Sequence, residues 1–343
     1  MTRNRLGFFT RVLDDVPAAE RYSMALEQII HAERMGLDSA WVAQHHFDGT
    51  EGGLPAPLVF LAQAAARTSR IRLATGIITL PLENPVRVAE DTAVLDAMSG
   101  GRLEVGVGTG GTASSYPAFG LESARRGQLY DDALAILRDA WRGAPLGGSP
   151  NRLYPPAPHL AKRVWQATFS VEGGRRAGLA GDGLLLSKTQ PRPPGAPHAT
   201  LSDIQNPIID AYLAALPSGA TPRILGSRGI TVMDDAAEAR RHAEAGLDRH
   251  LRRLREPGRP APTGTLDELM DSLDVYTGTP EHVIRLLQRD TVLERATDIS
   301  MQVHPVDPPH GLILRAITLF ATEVAPALGW TQDATPNDGR TGP

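Results

Sequence analysis

The chain has 343 residues, 41% hydrophobic and 22% charged, and its 35 Lys plus Arg against 39 Asp plus Glu leave a formal net charge of -4. This composition suits a globular protein with a large core, and the charge gives no electrostatic case for nucleic acid or an anionic membrane. The absence of cysteine excludes disulfides, thiolate metal sites and thiol nucleophiles, and fits a reducing compartment, so a cytoplasmic location is the expectation. No apolar run reaches the ~20 residues that span a bilayer, and the first residues lack the apolar core of a secretion signal.

Residues 6–9 form a short apolar run, and residues 22–35 repeat apolar positions at helical spacing. Residues 39–43 read as a buried strand that stops on Gln44, His45 and His46 before the chain turns through Asp48-Gly49 and Gly52-Gly53. Two imidazoles at the carboxyl end of a strand, facing a glycine-rich loop, point to a site on a rigid scaffold; the plainer reading is a structural pair capping the strand. Helix 57–68, strand 71–78, loop 80–85 and helix 86–98 follow, the last stopped by Ser99-Gly100-Gly101-Arg102. Strand 103–107 runs into the glycine-rich loop 106–111. Then come an amphipathic helix over 125–141, a Gly/Pro loop over 143–158, strand 163–167, a short helix over 173–180 and strand 183–187. This alternation predicts a parallel sheet with right-handed crossovers.

The second half is less regular. Residues 188–202 are a Pro-rich insertion, read as an irregular loop and not as a linker between domains. A helix over 204–216, a strand region over 223–232, a charged surface helix over 235–255 and a loop over 257–265 follow. Thr279 and Pro280 mark a helix start running to Leu287; a last strand covers 298–303 and a last helix 312–324. Strands near 6, 40, 73, 104, 164, 185, 225 and 300 make eight strand-then-helix units. Eight closes a (β/α)8 barrel, a single domain over 1–330 with the insertion after its sixth strand and a disordered tail over 331–343. An open doubly wound sheet would carry a G-x-G-x-x-G after the first strand, and none is there. In a barrel the site lies where the strands end, which gathers His45, His46, Thr75, Gly108–Gly111, Ser170 and Gln302 around one mouth.

The candidate motifs differ in weight. Loop 106–111 has no Gly-Lys-Ser/Thr after it, so a tight turn outweighs a phosphate cradle. Ser170-Val171-Glu172-Gly173-Gly174, between a strand and a helix, is balanced between an anion site at the helix start and ordinary capping. His45 and His46 diverge and share no metal, while His159, His304 and His310 read as structural or solvated. Ser114-Ser115 lacks a nucleophile elbow, Asp14-Asp15 and Asp234-Asp235 read as helix N-terminal charges, and stretch 240–255 reads as a solvated face.

Together, Ala43-Gln-His-His-Phe47, the block 82–108, the stretch 165–183, His304-Pro305 and residues 320–326 resemble the bacterial luciferase-like monooxygenases over roughly 6–328. The resemblance implies a flavin-dependent (β/α)8 enzyme of the two-component kind. Reduced FMN would come from a separate NAD(P)H:flavin reductase, and a C4a-peroxyflavin formed with O2 would oxygenate a small organic substrate. Carried over by position, His45 would be the base or peroxide-stabilising residue, with His46 supporting it. Ala74 and Thr75 would lie beneath the isoalloxazine, where the family often has a non-proline cis peptide. Asn84 would reach the flavin edge, and Gly108 and Thr109 would line the cofactor loop. Ser170, Val171, Gly173 and Gly174 would hold the phosphate. Gln44 departs from the family's usual Glu, and Thr109 stands where some members have Arg. The same fold also serves F420-dependent oxidoreductases and non-catalytic flavin barrels. A homodimer through helices near 85–98 is implied as well; the poorly matched insertion means that the substrate is not inherited.

Overall fold

The computed structural model describes residues 4–193, 195–196, 198–254 and 262–330. The tail expected over 331–343 and most of the loop expected over 257–265 lie outside the described residues.

Eight parallel strands close on one another: β1 (Arg5–Thr10), β2 (Ser39–Val42), β3 (Arg72–Thr75), β5 (Leu103–Gly108), β6 (Val164–Ala167), β7 (Gly183–Leu186), β8 (Ile224–Val232) and β10 (Asp298–Gln302). The closing pairs are β1 with β10 (Leu6 opposite Ile299) and β10 with β8 (Ile299 opposite Gly226). Two short strands lie off this ring, β4 (Ile78–Thr79) on β5 and β9 (Val275–Gly278) on β8. The expected (β/α)8 barrel is thus the fold.

Alternation along each strand divides the core. In β1, Leu6 and Phe8 face the helices, while Phe9 joins Trp41, Ala74, Trp165, Leu185 and Leu225 in the lumen. Trp41 and Trp165 meet edge to face at 5.4 Å, a geometry their ring quadrupoles favour. Below them, Arg5–Asp298 and Arg72–Glu104 neutralise each other, and Trp165 donates its indole N–H to Glu104 at 2.8 Å. The lumen is therefore a packed floor beneath the mouth.

Among the described residues, ten α-helices of seven or more residues wrap the ring: α1 (Ala18–Arg34), α2 (Pro57–Arg67), α3 (Pro85–Met98), α4 (Arg126–Trp141), α5 (Val171–Leu179), α6 (Leu201–Ala215), α7 (Ala236–Leu254), α8 (Leu266–Ser272), α9 (Pro280–Leu287) and α10 (His310–Leu319), the last continued by a π-helical turn at Phe320–Val324. Several expectations need correcting. The strand expected over 71–78 is two strands, β3 and β4, separated by a cis peptide at Gly76-Ile77. α6 begins three residues before the expected 204, because Thr200 and Asp203 close a capping box. Thr265 and Glu268 do the same for α8, which the sequence reading passed over along with β9. Thr279 precedes α9, but its hydroxyl makes no capping bond. Asp14 does not begin a helix; its carboxylate accepts from Gln28.

Candidate active site

A cleft of about 470 Å³ opens at the carboxyl ends of β2, β3 and β5. Gln44, His45 and His46 form one wall, Gly76, Ile77 and Thr79 the floor, and Gly110, Thr112 and Ser115 the opposite side.

Gln44 is 6% exposed and fully engaged: its amide donates to the Pro55 carbonyl (3.0 Å) and Glu83 (2.7 Å), and its oxygen accepts from Thr79 N–H (2.6 Å). It ties the β2 loop to the segment leading into α3. His45 places Nε2 3.3 Å from Arg11 Nη2 and Nδ1 3.9 Å from Glu51, whose carboxylate accepts from Thr112 at 3.0 Å. Gly52 packs closely against this imidazole; a Cβ there would stand 2.3 Å from His45 Cδ2. His46 meets Phe119 edge to face at 5.1 Å, and its Nε2 is buried with no hydrogen-bond partner. Burial pushes the His46 pKa below its usual value, with Glu83 opposing. Phe47, 74% exposed and held at φ 67°, stands 5.9 Å from Phe119 at the rim.

The remaining expected residues divide. Ala74 is packed in the lumen, and Thr75 spends its hydroxyl on both backbone groups of Gly106 (2.8 and 2.9 Å). The cleft floor is instead Gly76 and Ile77, two residues further on, where the cis peptide also lies. Asn84 caps α3, accepting from Val86 N–H (3.0 Å) and Arg87 N–H (3.3 Å), and is exposed outside the cleft lining. Gly108 ends β5, and Thr109 offers its carbonyl to Tyr116. Ser170 caps α5, accepting from Gly173 N–H at 3.1 Å. Gly173 is required there, since a Cβ would fall 1.9 Å from Thr168 Oγ1, and Val171 is half exposed at the first turn. Helix starts present outward N–H groups and the positive end of the dipole. This one sits at the end of β6, next to β5 in the ring.

Sequence reasoning passed over Arg11, Glu51, Glu83 and Thr112. Arg11 was accessible, because it follows directly on β1 at the strand end where a barrel keeps its chemistry. Across the mouth, Lys188 is buried and donates to the His304 carbonyl at 3.0 Å; burial pushes its pKa down to about 7, against Asp274 and Asp307. His304 is no solvated loop residue. It is buried, paired through Nδ1 with Asp307 at 2.7 Å, and pushed down to about 4 by burial. Gln302 donates to Ser227 at 2.9 Å. His159 and His310 join Asp96 and Gln28, as structural residues do. No metal-binding group of three or more His, Asp or Glu occurs among the described residues, and no described helix is long and apolar enough to cross a membrane.

The sequence model of the family described as luciferase-like monooxygenase matches residues 6–293. The chain belongs to the luciferase-like monooxygenase family. It is 26% identical over 318 residues to limonene 1,2-monooxygenase of Rhodococcus erythropolis, covering 88% of this chain and 80% of that one. An uncharacterized protein y4vJ of Sinorhizobium fredii is 30% identical over 171 residues, 48% of each chain, so that match spans about half of the relative. Among solved structures, monooxygenase RslO1 from Streptomyces bottropensis superposes with a TM-score of 0.77 at 25% identity, over 94% of this chain and 99% of that one. Neighbours in fold alone include an oxygenating constituent of 3,6-diketocamphane monooxygenase of Pseudomonas putida in complex with FMN and an F420-dependent secondary alcohol dehydrogenase, so both cofactor types occur on this luciferase-like fold.

Proposed function

We propose that this luciferase-like protein is an FMN-dependent monooxygenase that oxygenates a small organic substrate. One observation carries the reading: the cleft walled by His45 and His46 lies on adjoining strand ends with the α5 helix start. The cleft, lined by Gly76 and Ile77 with Ala74 and Thr75 packed beneath, would hold the ring system. Ser170, Val171, Gly173 and Gly174 take the phosphate, and Gly108 and Thr109 lie between. The buried Nε2 of His46, without a partner, suits a polar ligand atom. Asn84 enters this proposal as the α3 cap and not as a flavin contact. Reduced FMN supplies two electrons when bound. With those electrons, O2 would give one oxygen atom to the substrate and the other to water. His45 and His46 serve as the polar groups beside that chemistry.

Two further elements belong to the proposal. A separate NAD(P)H:flavin reductase delivers the reduced flavin, in keeping with a relative named as the oxygenase component of a trigonelline monooxygenase. A homodimer is supported by Val59, Val94, Met98 and Ile136, apolar side chains exposed on the neighbouring helices α2, α3 and α4. A cytoplasmic setting agrees with the cysteine-free sequence.

Anaerobic titration with reduced FMN, followed by rapid mixing with oxygenated buffer, tests the cofactor. Saturable binding and reoxidation slower than that of free flavin are the expected results. No binding, with reoxidation at the free-flavin rate, would refute the FMN reading; saturable binding of reduced F420 in the same cleft would then replace it.

A further inference from the structure

Arg11 leaves the end of β1 and reaches to His45, with Nη2 3.3 Å from the imidazole Nε2 and 2.5 Å from the Glu51 carbonyl oxygen. A guanidinium offers five N–H donors and no acceptor. The contact therefore has only one polarity: Nε2 must present its lone pair. A neutral imidazole with a bare Nε2 carries its proton on Nδ1. We infer that Arg11 is a positioning residue that fixes His45 as the neutral Nδ1–H tautomer, so that His45 meets a bound flavin as a hydrogen-bond donor and not as a base.

A second observation agrees independently. The other edge of the ring faces the acidic wall of the cleft, where Glu51 Oε2 stands 3.9 Å from Nδ1 and is itself held by Thr112. A proton shared between a cationic and an anionic side rests on the anionic one. The ring has no other orientation that serves. Turned by 180° about its axis, it would place a carbon against the guanidinium. Gly52 packs closely against it, and the His45 backbone N–H is tied to the Leu54 carbonyl at 3.0 Å. A base role through Nε2 would require Arg11 to release the ring first. The flavin part of this inference rests on the cleft being the flavin site; the tautomer does not.

The test uses the full chain labelled with 15N-histidine and a long-range 1H–15N correlation spectrum, which separates the two tautomers of each imidazole. The His45 signals are assigned by their loss in His45→Gln. Wild type is expected to show Nδ1 protonated and Nε2 bare. Arg11→Met should move the tautomer ratio toward Nε2–H by about tenfold, equal to about 1.4 kcal/mol. Arg11→Lys, which keeps a donor-only cation, should restore the wild-type pattern. The tautomer of His304, whose Nδ1 pairs with Asp307, reports that the barrel mouth is intact in each variant; the tautomer alone is read, because the Arg11 charge also acts on this ring. A wild-type His45 protonated on Nε2 overturns the inference, as does an unchanged ratio in Arg11→Met with His304 unaltered. Titration of the wild-type protein with reduced FMN is read separately: an Nδ1–H tautomer without flavin binding would sink the cofactor assignment and leave the role of Arg11 standing.

Discussion

Gly52→Ala probes the most crowded point of the site. The new methyl group would lie 2.3 Å from His45 Cδ2, 2.5 Å from Cγ and 2.8 Å from Cβ, whereas carbon atoms settle at roughly 3.5–4.0 Å. Something must therefore move by more than an ångström. The imidazole is no freely swinging end, since Arg11 holds one edge and Leu54 holds its backbone. Either His45 leaves the cleft, or the loop lifts and breaks the bonds from Gly52 N–H to the Asp48 carbonyl and from Gly53 N–H to the Arg11 carbonyl. Overpacking of this kind costs about 1–3 kcal/mol. At roughly 2 °C per kcal/mol for a long chain, Tm should fall by about 2–6 °C in calorimetry. Weaker binding of reduced flavin should accompany it. The cause is separable by a double-mutant cycle, because His45→Ala removes Cγ and Cδ2, the two nearest of the clashing atoms, and leaves only Cβ at 2.8 Å; Gly52→Ala should then cost clearly less in that background. A Gly52→Ala protein with the Tm and flavin affinity of the wild type would show that the loop does not clamp His45.

Gln44→Glu restores the family's usual residue but sets a second carboxylate beside Glu83 and an acceptor against the Pro55 carbonyl. A loss of about 1–3 kcal/mol at pH 8 is expected. The introduced carboxyl keeps its proton more readily folded than unfolded, so the loss should shrink as pH falls toward about 5; equal urea midpoints at the two pH values would contradict this. Lys188 titrates near 7 when folded against 10.5 in its ordinary state. The unfolded chain thus binds more protons between those values, and stability should rise with pH across that window, by at most about 1.4 kcal/mol per unit. Lys188→Met should flatten the slope. His304, pushed down to about 4, works on the acid side, with stability lost as pH falls from about 6.5 toward 4; His304→Gln should reduce that loss in the same urea series. Asp290→Asn leaves the fully buried Arg228 without its carboxylate and turns one of the two oxygens that accept from Arg228 and Tyr276 into a donor, for about 3–5 kcal/mol in denaturant unfolding.

The barrel was legible because its strands are short apolar runs between glycine-rich turns, and their count alone closes the ring. The cleft wall was legible at a strand end, as with His45 and His46, and so was Ser170 at the start of α5. What escaped is what a linear pattern does not carry. The reading of 71–78 as one strand missed the interruption at Gly76-Ile77, because apolar residues resume at Ile77 and Ile78 directly after Thr75-Gly76. The resemblance, carried over by position, set the floor at Ala74 and Thr75, whose side chains face the lumen and the Gly106 backbone. Asn84 was read for its carboxamide, yet an Asn before Pro is first a cap whose oxygen accepts from the N–H groups of the helix start. Arg11, Glu51 and Thr112 come from three different loops and meet only once the barrel has closed.

Gln44 shows how the two adjacent imidazoles come to differ. On sequence, the exchange of Glu for Gln removes a charge from the strand end. In the structure Glu83 accepts from the Gln44 amide, so a carboxylate still stands at this corner, displaced to the segment before α3. It acts on His46, where burial favours the neutral ring and Glu83 favours the charged one. His45 instead lies between Arg11 and Glu51, with cation at one edge and anion beyond the other. One ring has its protonation pattern set by a directional contact, while the other has its Nε2 buried without a partner. Neighbouring groups in environments that differ this much take different roles: His45 as a fixed donor, and His46 as the ring whose hydrogen bonding the ligand completes. The exchange at position 44 therefore redistributes charge around the pair without removing it, and both histidines remain suited to a polar ligand at the mouth.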